Sequence, residues 1–250
     1  MEGRGGGQAW QKTQRSPALR LGLRLVQGLG EAPAQRIVAA RQERPFRSVD
    51  DLARRATLDT RQLDALAEAG ALKTLTGHRH RARWAALGVE SPLPLLADAD
   101  PVEADPLLTA PAPGEDCVAD YRATGLTLGE HPLALLRTRL RRAGGVTAQD
   151  LLAHPHGRHV RHIGLVITRQ HPASARGTVF LTLEDETGTV NAIVWPTLVQ
   201  RYRREVIQGR LLEIRGELQR VEGVMHLVAR RLVDRSGWLG RLMTPSRDFC

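Results

Sequence analysis

Several residue types and patterns are scarce in this sequence of 250 residues. The two cysteines, Cys117 and Cys250, are too few for a disulfide framework or a cysteine metal site, which favours a reducing, cytoplasmic setting. No apolar run approaches the ~18 residues of a membrane helix, so no membrane contact is expected. The glycine-rich start, residues 1–17, lacks the apolar core of a signal peptide and is predicted to be a disordered leader.

Lysine is almost absent, and arginine takes its place. The sequence has 36 basic residues, of which only Lys12 and Lys73 are lysines, and a net charge of +9. Residues 17–88 and 158–235 each contain thirteen basic residues, whereas residues 89–135 contain one basic and nine acidic residues. Arginine is always charged and can donate two parallel hydrogen bonds to a phosphate. Two basic blocks separated by an acidic spacer therefore make nucleic acid the expected partner.

Motifs that would indicate catalysis are missing as well. The sequence has no phosphate-binding Gly-x-x-x-x-Gly-Lys loop, no nucleophile elbow and no paired catalytic carboxylates. Two clusters contain residue types that can bind a metal: His154, His156, His159 and His162, and Glu184, Asp185 and Glu186. A proline and a glycine interrupt the first cluster, and acidic residues before Thr-Gly favour a hairpin turn in the second. We predict no catalytic residue and no metal site.

An oligonucleotide-binding barrel is predicted between His159 and Arg235. Alternating apolar residues in Gly177–Trp195 form two strand-length runs that meet at a turn at Gly188, which is the pattern of a hairpin. A short helix is predicted from Pro196 to Tyr202. Further strands are predicted at Ile163–Thr168, Arg210–Leu218 and Val224–Ala229, with a tight turn at Glu222-Gly223. Three strands, a helix and two strands are the order of the OB-fold, which binds oligonucleotides across one face.

Residues that can contact DNA are expected on the strands and loops of this barrel. Arginine suits phosphates, and aromatic side chains suit stacked bases. The predicted contacts are Arg161, Arg169, Arg176, Phe180, Trp195, Arg215, Arg220 and His226. Phe180 and Trp195 could alternatively belong to the core. Replacing Arg169 and Arg220 together is expected to weaken DNA binding without unfolding the barrel.

A helix-hairpin-helix element is predicted near the N-terminus, where a short apolar segment, a Gly-Leu-Gly turn and a helix follow one another. Glycines let the backbone approach a DNA phosphate, and the N–H groups and positive end of the helix bind that anion. Such contacts do not depend on base sequence. We expect the backbone of Gly28, Leu29 and Gly30 to make them, with the side chains of Arg24 and Arg36 nearby.

These patterns predict an α+β protein with several domains: an all-α helix-hairpin-helix domain, an acidic linker and a C-terminal five-stranded OB-fold barrel. A helix from Gly77 to Leu87 is expected to present a solvated basic face. The predicted divisions are the disordered leader at 1–17, the helix-hairpin-helix domain at 18–88, the linker at 89–118, a helical connector at 119–157, the OB-fold at 158–235 and a tail at 236–250.

Five segments, in this order and spacing, closely resemble the C-terminal part of the bacterial C-family DNA polymerases, the polymerase III alpha subunit type. They are Leu21–Gly30, Pro45–Ser48, Leu66–Ala71, Gly125–Leu133 and Leu183–Val190. The ending at Ser246–Cys250 resembles that of the error-prone, translesion branch of this family.

The resemblance implies a DNA-binding region of a polymerase that acts in DNA repair and translesion synthesis. It implies single-stranded and primed DNA as ligands, and a sliding clamp and an accessory translesion protein as partners. Family members hold Mg²⁺ for nucleotidyl transfer in a palm domain that has no counterpart in this sequence. The chain is therefore expected to be a fragment or split-gene product without a cofactor, inactive on its own.

Two alternative functions follow from the same patterns. An OB-fold with a helix-hairpin-helix element can serve as a freestanding repair accessory module that binds single-stranded nucleic acid. Some tRNA-anticodon-binding modules share the Leu-Glu-Asp-x-x-Gly type of hairpin. The helical block at 18–88 and the Gly129–Leu133 segment argue against the tRNA-binding module.

Overall fold

The computed structural model describes residues 21–89, 106–221 and 223–242. The predicted leader at 1–17 lies outside these residues, as do residues 90–105 of the predicted linker and residues 243–250 of the predicted tail. The described part has an α-helical N-terminal region, a helical connector and a β-barrel. None of the described helices is long and apolar enough to cross a membrane.

Five strands form the closed barrel in the order β1-β2-β3-β5-β4. The strands are β1 (His159–Gln170), β2 (Val179–Asp185), β3 (Gly188–Val194), β4 (Leu211–Val221) and β5 (Val224–Asp234). β1 pairs antiparallel with both β2 and β4, and a short parallel pairing of β3 with β5 closes the barrel. The predicted five-stranded OB-fold is confirmed, although β1, β4 and β5 are longer than the sequence pattern indicated.

Alternation of side chains along these strands fills the barrel interior. In β2, Val179, Leu181 and Leu183 are buried, whereas Phe180 between them is exposed. Gly216 marks an irregularity in the pairing of β4 with β5, and a Cβ atom there would lie 2.2 Å from the carbonyl oxygen of Val228. Only glycine fits this close approach of two backbones. The alternation thus separates the barrel core from an outer face.

Two short helices join β3 to β4. The first, α9 (Pro196–Arg201), begins with a proline in its first turn and confirms the predicted helix. The second, α10 (Arg203–Gln208), was not predicted, because six residues are too few to reveal a helical period. Val206 of α10 is buried against the barrel core.

Five helices form the N-terminal region: α1 (Glu31–Glu43), α2 (Val49–Ala56), α3 (Thr60–Glu68), α4 (Lys73–Thr76) and α5 (Arg79–Leu87). Ser48 caps α2 by accepting a hydrogen bond from the backbone N–H of Asp51. Asp59 and Gln62 form a reciprocal capping box on α3. Leu52, Leu63 and other apolar residues from these helices meet in one core.

The connector begins earlier than predicted. It contains α6 (Pro113–Thr124), α7 (Pro132–Arg142) and α8 (Ala148–Leu152). The first half of α6 lies inside the segment predicted as linker at 89–118, so the predicted boundary is wrong for residues 113–118. Glu115 accepts a hydrogen bond from the N–H of Ala112, and the proline at the first position favours helix initiation.

The predicted solvated basic face of α5 is also wrong for its first arginine. Arg79 is 4% exposed and forms ion pairs with Asp116 and Asp120 of α6. Lys73 lies 3.0 Å from Asp116, and Arg83 contacts Asp64 of α3 at 3.4 Å. These basic side chains therefore hold α6 and α3 in place.

The first residues of the predicted tail pack against the barrel. They form two short 3₁₀ turns, Ser236–Trp238 and Gly240–Leu242. The Trp238 ring lies between the guanidinium groups of Arg139 and Arg235, at 4.5 and 4.6 Å from its centre. The following Leu239 is buried with apolar residues of α7, β1 and β4.

Candidate nucleic-acid interface

The outer side of strands β2 and β3 forms one candidate interface, which we call the β2–β3 face. Phe180 lies opposite Ile193, and Thr182 lies opposite Asn191. The Thr182 hydroxyl donates a hydrogen bond of 3.1 Å to the Asn191 side-chain oxygen. The Phe180 side chain is 36% exposed and is not part of the barrel core. This face therefore presents an aromatic ring next to amide and hydroxyl groups.

Trp195 extends this face at the end of β3. The preceding Val194 points into the core, and Trp195 is 49% exposed. A Cβ atom added to Gly177, which has φ +87°, would lie 3.6 Å from Pro196, so the β1–β2 loop lies beside this end of the face. The exposed Arg176 belongs to that loop and has a left-handed backbone with φ 48°. An arginine thus stands at the edge of the face nearest Trp195.

His226 of β5 continues the face on its other side. Its Cα atom pairs with that of Asn191 in the parallel ladder. The neighbouring Leu227 points into the core, so His226 points outward, where it is half-buried. Its Nδ1 atom is buried and has no hydrogen-bond partner among the described residues. Because Nδ1 is buried, a contact between His226 and a ligand would use the accessible part of the half-buried ring.

A different group of arginines holds helix C-termini, whose last carbonyl groups have no partner within the helix. In the described part of the chain, Arg55 binds carbonyl oxygens at the end of α1, Arg36 at α2, Arg79 at α3, Arg161 at α7, Arg220 at α8 and Arg169 at α10. A guanidinium group suits this place because it donates several hydrogen bonds and is attracted by the negative end of the helix dipole.

Four of the predicted DNA contacts belong to this group: Arg36, Arg161, Arg169 and Arg220. Arg36 donates to the carbonyl oxygens of Ala56 and Thr57 at 2.7 and 3.0 Å. Arg220 donates to that of Leu152 at 2.6 Å. Such bonds speak against the expectation that Arg169 and Arg220 can be replaced without a cost to folding. Their contact with DNA stays a prediction.

The predicted contacts Arg161 and Arg215 also surround a buried carboxylate. Glu213 of β4 is 0% exposed, and its oxygen atoms lie 2.7 Å from Arg215, 2.7 Å from Arg235 and 3.4 Å from Arg161. Burial alone would raise the pKa of Glu213, but hydrogen bonds from Arg235 and Arg215 outweigh it and lower the pKa below 4.5. Glu213 therefore stays ionised and holds these arginines on the barrel surface.

The predicted hairpin forms at the start of the described chain. Gly28 and Gly30 have φ values of +85° and +77°, a conformation that favours glycine, whereas Leu29 is buried. Within the described residues, the backbone N–H groups of Gly28 and Gly30 make no hydrogen bond. The N–H of Gln27 donates to the carbonyl of Ala123 at 2.9 Å, so α6 supports the hairpin. The exposed Arg24 lies on the 3₁₀ turn before it.

The acidic run before Gly188 ties the connector to the barrel. Asp185 is 2% exposed and accepts hydrogen bonds from the backbone N–H groups of Ala148 and Thr187. Arg137 of α7 forms ion pairs with Asp185 and Glu186. Burial opposes ionisation of Asp185, but the hydrogen bonds from Thr187 and Ala148 prevail and lower its pKa. This run is thus a turn and a docking point for α7.

The four histidines of the cluster at 154–162 do not converge on one site. His162 is buried inside the barrel, and its Nδ1 atom lies 2.9 Å from the carbonyl oxygen of Val146. His156 accepts a hydrogen bond from the backbone N–H of Arg220. Among the described residues, no group of three or more histidine, cysteine or acidic side chains is placed to hold a metal.

Comparison with known proteins agrees with this architecture. A family model of the helix-hairpin-helix motif matches residues 8–82, and one of an OB-fold nucleic acid binding domain matches residues 160–234. The chain is 56% identical to an error-prone DNA polymerase of Alkalilimnicola ehrlichii over 93% of its own length. It is 52% identical to one of Methylococcus capsulatus over 95%. The predicted resemblance to error-prone DNA polymerases is confirmed.

The chain spans 23% of the length of each of these error-prone DNA polymerases. Among solved structures, an asparaginyl-tRNA synthetase from Pyrococcus horikoshii is similar at 23% identity and a TM-score of 0.32. That similarity covers 36% of this chain and 22% of the synthetase chain.

Each of the two regions matched by a family model contains a candidate contact. The first includes the Gly28–Gly30 hairpin, and the second includes the β2–β3 face. The sequence analysis selected Phe180, Trp195 and His226 on this face. It missed their neighbours, the polar Thr182 and Asn191 and the apolar Ile193. Strand alternation from Phe180 and pairing across the turn at Gly188 would have placed all three on the same face.

Proposed function

We propose that this chain is a DNA-binding region of an error-prone DNA polymerase that acts in DNA repair and translesion synthesis. The observation that carries the proposal is the β2–β3 face, where Phe180 and Trp195 are exposed beside Asn191 and His226. Burying large aromatic rings would stabilise the fold, so their exposure on one face favours a ligand that stacks on them. Unpaired DNA bases offer such a surface.

The polar groups of this face suit the edges of the same bases. A single strand would lay its bases on Phe180 and Trp195, while Asn191 and His226 hydrogen-bond base edges and Arg176 contacts a phosphate. Every base has an aromatic face, so stacking of this kind tolerates any sequence. That tolerance fits a polymerase region that must hold whatever template is being copied.

The N-terminal hairpin would hold double-stranded DNA. The N–H groups of Gly28 and Gly30 make no hydrogen bond within the described residues and lie just before α1. The positive end of α1 favours an anion at this place. Glu31 in the first turn of α1 opposes such an anion, and the exposed Arg24 offsets it. Hairpin and barrel together would accommodate the duplex and single-stranded parts of primed DNA.

Replacing the two exposed aromatic residues tests the role of the barrel. Loss of a base–aromatic stack costs about 1–3 kcal/mol, so Phe180→Ala and Trp195→Ala should each lower affinity for single-stranded DNA about 5- to 150-fold. Fluorescence anisotropy with a labelled oligonucleotide measures this change. Trp84→Ala is the matched control, because Trp84 on α5 is 53% exposed and lies outside the barrel. Equal losses in all three variants would contradict the proposal.

We further propose that this chain binds DNA but does not transfer nucleotides by itself. In the described part of the chain, no cluster of acidic or other ligating side chains is suited to hold catalytic metal ions. Primer extension by the purified chain, with Mg²⁺ and all four deoxynucleotides, would overturn this point. The DNA-binding proposal would stand in that case.

The proposed function includes two protein partners and has two alternatives. The resemblance to error-prone polymerases is the support for a sliding clamp and an accessory translesion protein as partners. Tighter binding of tRNA than of primed DNA in direct competition would favour the tRNA-binding module instead. A freestanding repair module would also bind single-stranded DNA on its own. The two functions differ in one result: a polymerase region restores polymerase activity when it is joined to the remaining domains of the polymerase, and a freestanding module does not.

A further inference from the structure

A second site lies on another side of the barrel, between the end of α7 and strands β1, β4 and β5. It is a cleft of about 650 Å³ lined by five arginines: Arg142, Arg158, Arg161, Arg215 and Arg230. His154 and His159 also line it, whereas no phenylalanine, tyrosine, tryptophan or acidic residue does so. We call this site the arginine cleft. Sequence reasoning selected only Arg161 and Arg215 from it.

Two of the five arginines have no internal role in the described part of the chain. Arg142 and Arg158 are exposed, and their side chains form no hydrogen bond or ion pair with another described residue. The other three touch carboxylates: Arg161 and Arg215 contact Glu213, and Arg230 lies 3.3 Å from Glu217. Arg235 also binds Glu213. The cleft therefore keeps an excess of positive charge.

Glu213 positions the arginines rather than neutralising the cleft. Its buried carboxylate fixes Arg161 and Arg215, and the carbonyl oxygen of Ala143 holds Arg161 from the other side. A guanidinium group that is already held loses less conformational entropy when it binds a ligand. Fixed arginines next to exposed, unpaired ones form a site that suits anions with several phosphate groups.

The lining also indicates which part of a nucleic acid would enter. Bases need flat apolar surfaces, which the β2–β3 face has and the arginine cleft lacks. Phosphates need charge and hydrogen-bond donors, which the cleft supplies. The two sites thus match the two chemical halves of a nucleotide, on different sides of one barrel.

We propose that the arginine cleft binds DNA backbone phosphates, independently of the bases and of strand pairing. This inference rests on the proposed function, since it assumes that the barrel binds DNA. The strand that enters the cleft would contact the protein through its sugar-phosphate backbone alone. The cleft would add affinity for both duplex and single-stranded DNA, whereas the β2–β3 face would add affinity for unpaired strands only.

The experiment compares the Arg142→Gln/Arg158→Gln double variant with wild type on a duplex and on a single strand over a range of salt. Each lost phosphate contact reduces the log–log salt slope by ~0.9 for duplex and ~0.7 for single strands. At ~0.1 M salt, that corresponds to about an eightfold loss of duplex affinity per contact. The lysine double variant, Arg142→Lys/Arg158→Lys, should retain most of the slope.

Arg203→Gln/Arg204→Gln is the matched control. Both arginines are exposed on α10, away from the cleft, and the change in net charge is the same. Thermal unfolding of every variant checks that the fold is intact. A cleft variant with the wild-type salt slope, or a control that loses as much affinity, would overturn the proposal.

Other results would distinguish a failure of the cleft proposal from a failure of the proposed function. Wild-type binding that depends on Phe180 and Trp195 but not on Arg142 and Arg158 would leave the proposed function intact and reject the cleft. Absence of any DNA binding by wild type would reject both. Tighter binding of poly-glutamate than of DNA at equal charge, lost in the cleft variant, would assign the cleft to an acidic protein segment and overturn the proposal.

Discussion

The two sides of the barrel differ in their chemistry although strands of one small sheet contribute to both. The β2–β3 face has exposed Phe180 and Trp195, an amide neighbour and one arginine at its edge. The arginine cleft has five arginines and no phenylalanine, tyrosine or tryptophan. Strand alternation places Phe180 on one side and Arg161, Arg215 and Arg230 on the other. Arg142 and Arg158 of the cleft come from the end of α7 and from the residue before β1. Net charge alone therefore does not locate a nucleic-acid site, because bases and phosphates require different surfaces.

The arginines also differ in whether their guanidinium groups bind carbonyl oxygens at helix ends. Arg169 and Arg220 are committed to carbonyl oxygens at helix ends, whereas Arg142 and Arg158 form no such bond within the described residues. Arg169 and Arg220 therefore contribute mainly to folding, whereas Arg142 and Arg158 are available to a ligand. Arg161 does both, because it caps α7 and also lines the arginine cleft. Measuring the stability and the DNA affinity of variants in each group can therefore test whether the two groups of arginines have different roles.

The largest effect is expected from Glu213→Gln, which removes the charge that holds the cleft arginines. Breaking a buried ion pair costs about 3–5 kcal/mol, and we expect about 3 kcal/mol because a third or so of each arginine side chain is exposed. Urea denaturation at pH 7 measures this loss. Glu217→Gln is the control, since Arg230, its partner, is 64% exposed, and little change is expected there.

The same substitution has a pH signature. The pKa of Glu213 is lowered from 4.5 in the folded protein, so its stabilising contribution is present above pH 4.5 and is lost as pH falls below that value. Glu213→Gln should remove this part of the acid sensitivity. An unchanged dependence below pH 4.5 would show that the arginines do not stabilise the carboxylate.

A smaller effect is expected from Arg169→Ala, which removes the cap of α10. Hydrogen bonds from a charged donor to Val206 and Gly209 would be lost, at a cost of about 2 kcal/mol in the free energy of unfolding. A contact of Arg169 with DNA predicts a smaller salt slope in the folded variant, whereas a role limited to the helix cap predicts an unchanged slope. Arg176→Gln provides the contrast, because this exposed side chain should affect binding and not stability. A reversed pattern would break the division of arginines into two groups.

The smallest effect is expected from His162, which lies inside the barrel and belongs to neither side. Burial lowers the pKa of His162 below 6.5, so stability should fall as pH drops below 6.5, by at most about 1.4 kcal/mol per pH unit. His162→Asn keeps a donor near the Val146 carbonyl and should flatten this dependence. Thermal unfolding between pH 5 and 8 measures it; an equally steep fall in the variant would assign the dependence to other groups.

The barrel could be predicted from the sequence because its signals are local. Alternation around Gly188 located β2 and β3, and Pro196 located α9. The roles of the arginines could not be predicted, because their partners are distant in sequence: Arg169 binds Val206, and Arg220 binds a residue 68 positions away. An arginine that caps a helix and one that binds phosphate have the same local sequence signal.

The boundary of the connector failed for a different reason. A Pro-, Ala- and Asp-rich composition suggested a linker up to residue 118, although Pro113 and Glu115 carry a helix-start signal. The decisive contacts are again distant, since Asp116 and Asp120 are ion-paired with Arg79. The acidic spacer is thus partly a structural counterpart of the basic N-terminal block.

The most direct test of the difference between the two sides uses a single strand of abasic nucleotides, which keeps the phosphates and lacks the bases. Its affinity for wild type, Phe180→Ala/Trp195→Ala and Arg142→Gln/Arg158→Gln can be measured by competition with a labelled oligonucleotide. The account predicts that the aromatic variant binds the abasic strand as wild type does, and that the arginine variant binds it more weakly. Loss of abasic binding in the aromatic variant, with wild-type affinity in the arginine variant, would contradict it.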